Sequence, residues 1–121
     1  MVKITFLKSL YFLAGFFIVS NIGKIEAQIV IGTPDLQFTQ ACANESFNTF
    51  TVMFVFNPPS ALDPSNQFIV EMSDPEGSFS DPKIVFTSNS GAISTSPASI
   101  DFSLPISTAG EGYKLKIRST H

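Results

Sequence analysis

From residue 28 onward, short apolar or alternating runs recur about every ten positions, the spacing expected of strands joined by turns. Clusters of Pro, Gly, Asn, Asp and Ser separate them. No run repeats with the period of a helix. The strongest signal is residues 46–56 (SFNTFTVMFVF). One parity carries Phe50, Val52, Phe54 and Phe56; the other carries Phe47, Thr49, Thr51, Met53 and Val55. Successive side chains of a strand point to opposite faces, so the first set is predicted to face the core. The second set is apolar enough to predict a central strand whose outer side is partly covered.

Residues 67–73 alternate as well, with Phe68, Val70 and Met72 predicted inward and Gln67, Ile69, Glu71 and Ser73 outward. A short strand is predicted over 84–87. Another covers 99–104, with Ile100, Phe102 and Leu104 inward, and a last one covers 112–119, with Tyr113, Leu115 and Ile117 inward. Ahead of these, 29–31 reads as a strand that continues weakly through 36–38 after Pro34. Asn57-Pro58-Pro59 stops the long strand, because proline has no N–H to give a ladder. Asp74-Pro75-Glu76-Gly77 has the composition of a tight turn, and the Ser-, Asn- and Thr-rich stretch 88–96 reads as a surface loop or a weak edge. The pattern predicts an all-β sandwich or barrel.

The first 27 residues do not belong to that rhythm. Lys3 and Lys8 give a basic start, and residues 10–19 (LYFLAGFFIV) are apolar throughout apart from Gly15. Ile25-Glu26-Ala27 then ends on a small residue ahead of Gln28. This is the layout of a secretory signal peptide, with an apolar stretch short for a bilayer span; the alternative is an uncleaved membrane anchor. The expectation is a helical leader over 1–27 and one domain over 28–121. That domain is expected outside the cytoplasm, extracellular or on the cell surface after periplasmic transit, with no membrane association once cleaved.

Charge and cysteine usage narrow the picture further. Losing Lys3, Lys8, Lys24 and Glu26 leaves four basic against nine acidic residues and shifts the net charge from −3 to −5. Such a surface argues against nucleic acid and anionic lipid, whose phosphates need clustered Lys or Arg. Nine of the thirteen Phe lie after the leader, a substantial core for one small domain. Cys42 is the only cysteine, so no intrachain disulfide forms. It is expected to be a small buried hydrophobe, with a free or intermolecular thiol as the alternative.

No catalytic constellation is present, and the reading is of a protein that is not an enzyme and takes no cofactor. The only histidine is His121, which leaves nothing to build a nucleophile triad around. No glycine-rich loop opens a helix. Asp74, Glu76 and Asp81 sit within one loop and are weak calcium candidates, their spacing matching no EF-hand. Glu71 and Asp101 are expected on different sheets, too far apart in orientation to share a glycosidase groove. Lys114, Lys116 and Arg118 form a period-two basic stripe, predicted to be a solvated face in which Lys116 or Lys114 pairs across strands with Glu71. Asn44-Glu45-Ser46 fits a glycosylation sequon, a triplet common by chance.

Residues 104–113 (LPISTAGEGY) run from the end of a strand through a Gly110-containing corner to Tyr113. This looks like the tyrosine corner of immunoglobulin and fibronectin type III folds, in which the phenol bonds back to the corner backbone; an ordinary core tyrosine is the alternative. If the likeness holds, the chain forms about six strands of a seven-strand sandwich. The strand that would pair along 113–118 is missing. Either the sequence is the amino-terminal part of a longer protein, or a neighbouring chain donates the strand.

Several stretches carry a wider likeness: residues 47–52 (FNTFTV), 65–74 (SNQFIVEMSD), 76–79 (EGSF) and 108–120 (TAGEGYKLKIRST). Together they resemble the amino-terminal immunoglobulin-like module of large Bacteroidota surface and secreted proteins. Those proteins leave by the general secretory route and the type IX system, and many carry gliding-motility-associated sorting domains. The resemblance implies an immunoglobulin-like sandwich with a structural or adhesive role; alternation places Phe50, Val52, Phe54, Phe68, Val70, Phe102 and Leu115 in its core, with Gly110 and Tyr113 at the corner. It implies as partners the following domains of the same polypeptide or a neighbouring chain. Loops 57–66 and 74–81 are the candidate contact loops. Two other classes stay open: a carbohydrate-binding module, with an exposed Phe79 as the stacking residue for surface glycans, and an assembly subunit completed by strand donation.

Overall fold

A computed structural model describes residues 28–121; the predicted leader lies outside the described residues. Among them the fold is all-β, and the only helical element is a single 3-10 turn at Pro59–Ala61. Eight strands occur: β1 (Val30–Ile31), β2 (Asp35–Leu36), β3 (Phe50–Phe54), β4 (Phe56–Asn57), β5 (Phe68–Met72), β6 (Lys83–Thr87), β7 (Ala98–Phe102) and β8 (Leu115–Ser119). All pairings are antiparallel: β1 with β4, a sheet in the order β2-β3-β7, and a sheet in the order β6-β5-β8.

The eight reduce to six extended segments, because two are interrupted. Residues 30–37 run beside 51–57 through both short pairings, and Gly32 N–H donates to the Val55 carbonyl (2.9 Å) between them. Pro34 brings no N–H to this edge. Gly32 is needed for the close approach, since a Cβ there would lie 2.7 Å from Val55 Cγ2. The predicted weak continuation over 36–38 is therefore shorter, at Asp35–Leu36, while Phe38 leaves the strand and stacks its ring 5.0 Å from that of Phe50.

One hydrophobic cluster joins the sheets. Phe50, Val52, Phe54, Phe56, Ile100 and Phe102 come from β3, β4 and β7; Phe68, Val70 and Ile117 come from β5 and β8. Phe68 is fully buried, with its ring centroid 5.1 Å from Phe54 and 5.0 Å from Phe56. Tilted and edge-on ring pairs at such distances add to the area term. The inward parity read from the sequence is the buried one along β3, β4 and β7.

The opposite parities depart from expectation in two ways. The outer side of this segment has less cover than expected: within β3 Thr51 is half-buried and Met53 exposed, and the flanking Phe47 and Val55 are exposed, although β3 is the central strand of its sheet. On β5 the reverse holds. Ile69, Glu71 and Ser73 were expected outward, yet all three are buried. Being central between β6 and β8, β5 has long side chains on both flanks, and Ile69 sits opposite Thr87 and Arg118. The long stem of Arg118 across from it suits such cover.

Candidate functional surfaces

The most organised polar feature lies on the outer face of the β6-β5-β8 sheet. The β5–β8 register sets Glu71 opposite Lys116 and Ile69 opposite Arg118. Lys116 Nζ reaches Glu71 Oε2 at 2.9 Å, and Arg118 Nε donates to Oε1 at 2.5 Å. The Glu71 side chain is 6% exposed, whereas those of Lys116 and Arg118 are 45% and 42% exposed. Glu71 is thus roofed by its own partners and not by a second layer of protein. The Arg118 hydrogen bond, helped by Lys116 and opposed by burial, holds its carboxyl below the ordinary glutamate range. The predicted Glu71–Lys116 pair forms, and the stripe keeps its cations in contact with solvent, but the carboxylate beneath them is buried rather than outward-facing.

Lys116 Nζ also stands 4.8 Å from the centre of the Phe79 ring. Phe79 was expected to be an exposed stacking platform. It is half-buried, with a cation over one face.

The Asp74 turn is built to be rigid. Asp74 Oδ1 accepts from the N–H groups of Glu76 (3.1 Å) and Ser78 (2.7 Å), while Gly77 N–H donates to the Asp74 carbonyl at 3.0 Å. Gly77 takes φ +80°, a conformation glycine adopts without strain. The Asp74 carboxylate is committed to its own backbone. Glu76 and Asp81 are exposed, and among the described residues no group of three His, Cys, Asp or Glu side chains converges as a cation site. The three candidate calcium ligands are not brought together.

Gly112 locks this turn to the start of β8: a Cβ there would fall 1.7 Å from the Pro75 carbonyl oxygen. Ser73 Oγ accepts from Lys114 N–H at 2.7 Å beside it. Gly110 has φ +138° and lies against the Tyr113 ring. Tyr113 is half-buried and outside the hydrophobic cluster, and β8 begins only at Leu115. Its phenol has no hydrogen-bond partner among the described residues, so the bond that defines a tyrosine corner is not made. Leu115 packs partly buried against the cluster, as expected.

Two asparagines went unread in the sequence. Asn48 clasps Leu104 with both ends of its carboxamide, Nδ2 to the carbonyl at 2.6 Å and Oδ1 from the N–H at 2.9 Å, extending the β3–β7 pairing beyond its last ladder residue. Asn66, 2% exposed, accepts from Ser119 Oγ (2.6 Å), Thr120 N–H (3.2 Å) and His121 N–H (3.1 Å). Both follow turn or loop residues, where a local role is the first reading of any Asn. Cys42 is exposed, contrary to the expectation of burial, because it lies in the long connection between β2 and β3, where no strand carries it into the core.

Beside the free edge of β8, two open cavities lie end to end. One, of about 490 Å³, is lined by Gln28, Ile29 and Ile31 on one side and Ile117 to His121 on the other. The second, of about 260 Å³, lies between Ile31 to Pro34 and Leu115 to Ile117. Ile31 and Ile117 border both, so the two form one trough along the strand.

No family model matches this chain, and no curated protein or solved structure is significantly similar to it.

Proposed function

We propose that this chain is a non-catalytic, immunoglobulin-like structural or adhesive module of an exported cell-surface protein. The observation that carries the reading is the pair of three-stranded antiparallel sheets, β2-β3-β7 and β6-β5-β8, closing on one phenylalanine-rich cluster. That strand order is compatible with a Greek-key sandwich in which the sixth strand, β8, stands at an edge. Its mechanism is mechanical. A rigid two-sheet body spaces its neighbours, and contacts are made through loops 57–66 and 74–81, the second stiffened by Asp74. The sequence likeness to amino-terminal modules of type IX-secreted, gliding-associated proteins of Bacteroidota is in keeping with this role.

Expression with the leader in a Gram-negative host, followed by fractionation and mass spectrometry, tests the compartment. The expected product starts at Gln28 and is recovered outside the cytoplasm; a cytosolic product with its leader intact refutes the reading. A carbohydrate-binding role has less support, because the Phe79 face it would use is occupied by Lys116.

A further inference from the structure

The start of the exported domain carries chemistry of its own. Cleavage after Ala27 makes Gln28 the first residue, so that an α-amine and a γ-carboxamide belong to the same side of the chain's end. Gln28 is exposed, and among the described residues no hydrogen bond engages its main chain. It borders the open cavity of about 490 Å³ that Arg118 and His121 also line.

From the next residue onward the chain is held. Ile29 and Ile31 pack against the hydrophobic cluster, Val30 and Ile31 pair with Asn57 and Phe56, and Gly32 N–H donates to the Val55 carbonyl. Gln28 is thus free to react while its neighbours stay fixed. This anchoring is also short, because β1 spans two residues and starts just past Ile29. Loss of Gln28 to Ile31 to an aminopeptidase would unpair Asn57 and Phe56 and uncover the cluster beneath Ile31.

We propose that Gln28 is a modification site: once the leader is removed it closes to a pyroglutamyl cap, which keeps aminopeptidases off β1. The α-amine nitrogen attacks Cδ of the carboxamide and a lactam C–N bond forms. The bond from Cδ to Nε2 breaks, and the departing nitrogen takes one proton from the amine and leaves as ammonia. No oxidant or second substrate enters, and glutaminyl cyclases are the class of enzyme that catalyse the step. The attacking amine must be neutral, which an α-amine of ordinary pKa, about 7.7–8.0, is in part at neutral pH. Ring closure turns only the bonds of Gln28 itself, so Ile29 and the strand after it keep their places. The lactam is uncharged at any pH, which removes a cation from the wall shared with Arg118. The proposal rests on the reading of residues 1–27 as a leader removed on export.

The test uses the full chain expressed with its leader in a Gram-negative host. The exported product is treated with purified glutaminyl cyclase, and its amino-terminal peptide is weighed by mass spectrometry. That peptide should begin at residue 28 and be lighter by one ammonia, converted as fully as a synthetic peptide of residues 28–32 in the same tube. A Gln28 amine that persists while the synthetic peptide converts overturns the proposal and leaves export standing, as does an exported product that begins at another residue. A product with its leader still attached means that the export reading itself has failed. A second arm compares the capped wild type with Gln28→Asn, whose carboxamide is one methylene too short for the lactam. A broad-specificity aminopeptidase should shorten Gln28→Asn past Ile31 and leave the capped wild type whole. Trimming of the capped wild type, or a Gln28→Asn product that resists equally, overturns the protective role.

Discussion

Replacing Glu71 with Gln is the sharpest probe of the β5–β8 face. The substitution keeps the shape and one acceptor but removes the charge that Lys116 and Arg118 share at 2.9 and 2.5 Å. A hydrogen bond to a charged group contributes about 1.5–3 kcal/mol, whereas an exposed ion pair contributes about 0–1 kcal/mol. Glu71 is buried but its cations are close to half exposed, so the expected loss for Glu71→Gln lies between these, about 1–2 kcal/mol. The pH dependence has a definite sign. The folded-state pKa of Glu71 is lowered from 4.5, so its contribution is fully present above that value and is lost as pH falls through the folded pKa. Urea denaturation followed by far-UV circular dichroism, for wild type and Glu71→Gln, should therefore show a gap that is constant near neutrality. The gap should close as pH falls below the ordinary glutamate range and the wild-type carboxylate takes up its proton. A neutral substitution at pH 7, or a gap that persists unchanged in acid, would refute the argument that this carboxylate is an anchored charge. Lys116→Met and Arg118→Met, combined in a double-mutant cycle with Glu71→Gln, should place the larger coupling on Arg118, which makes the shorter contact.

Phe68→Ala, at a fully buried ring, should cost about 3–5 kcal/mol, while Phe47→Ala, at a ring 61% exposed, should cost less than about 1 kcal/mol; comparable losses in chemical denaturation would mean the core is elsewhere. Gly112→Ala should lower the thermal midpoint sharply, because its methyl group meets the Pro75 carbonyl and the turn must move by a cost of about 1–3 kcal/mol, and an unchanged midpoint would show that the turn does not pack there. Cys42 should react with a thiol reagent in the native protein as fast as a free thiol in a short peptide, without denaturant; reaction only on unfolding would contradict its exposure.

Much of the fold was legible from side-chain alternation. Phe50, Val52, Phe54 and Phe56 had one destination, since a strand with that parity buries either all four or none. The prolines and the Asp74-Pro75-Glu76-Gly77 turn marked where strands stop, because the missing N–H and the positive φ of Gly77 are local properties. Positions near the borders of strands were less readable. Tyr113 was assigned inward by extending the parity of Leu115 and Ile117, but the ladder starts after it, held by Ser73 and by the Gly112 contact. The connection around Cys42 had no periodicity to read, and hydrophobicity alone suggested a burial that no strand supplies.

The sequence by itself determined which segments extend, where they turn and which parity is greasy, because these follow from the two-residue repeat and from backbone chemistry at Pro and Gly. Only the tertiary structure decided what happens on the second face of each strand. Met53 and Val55 remain in solvent while Ile69 and Glu71 are enclosed, although both pairs occupy the outward parity of a central strand. The difference lies in the neighbours: long Lys116 and Arg118 stand across from Glu71 and Ile69, whereas Asp35 and Ser99, across from Met53, are too short to cover it. Cross-strand register is a property of pairs of segments distant in the chain, and no local pattern encodes it.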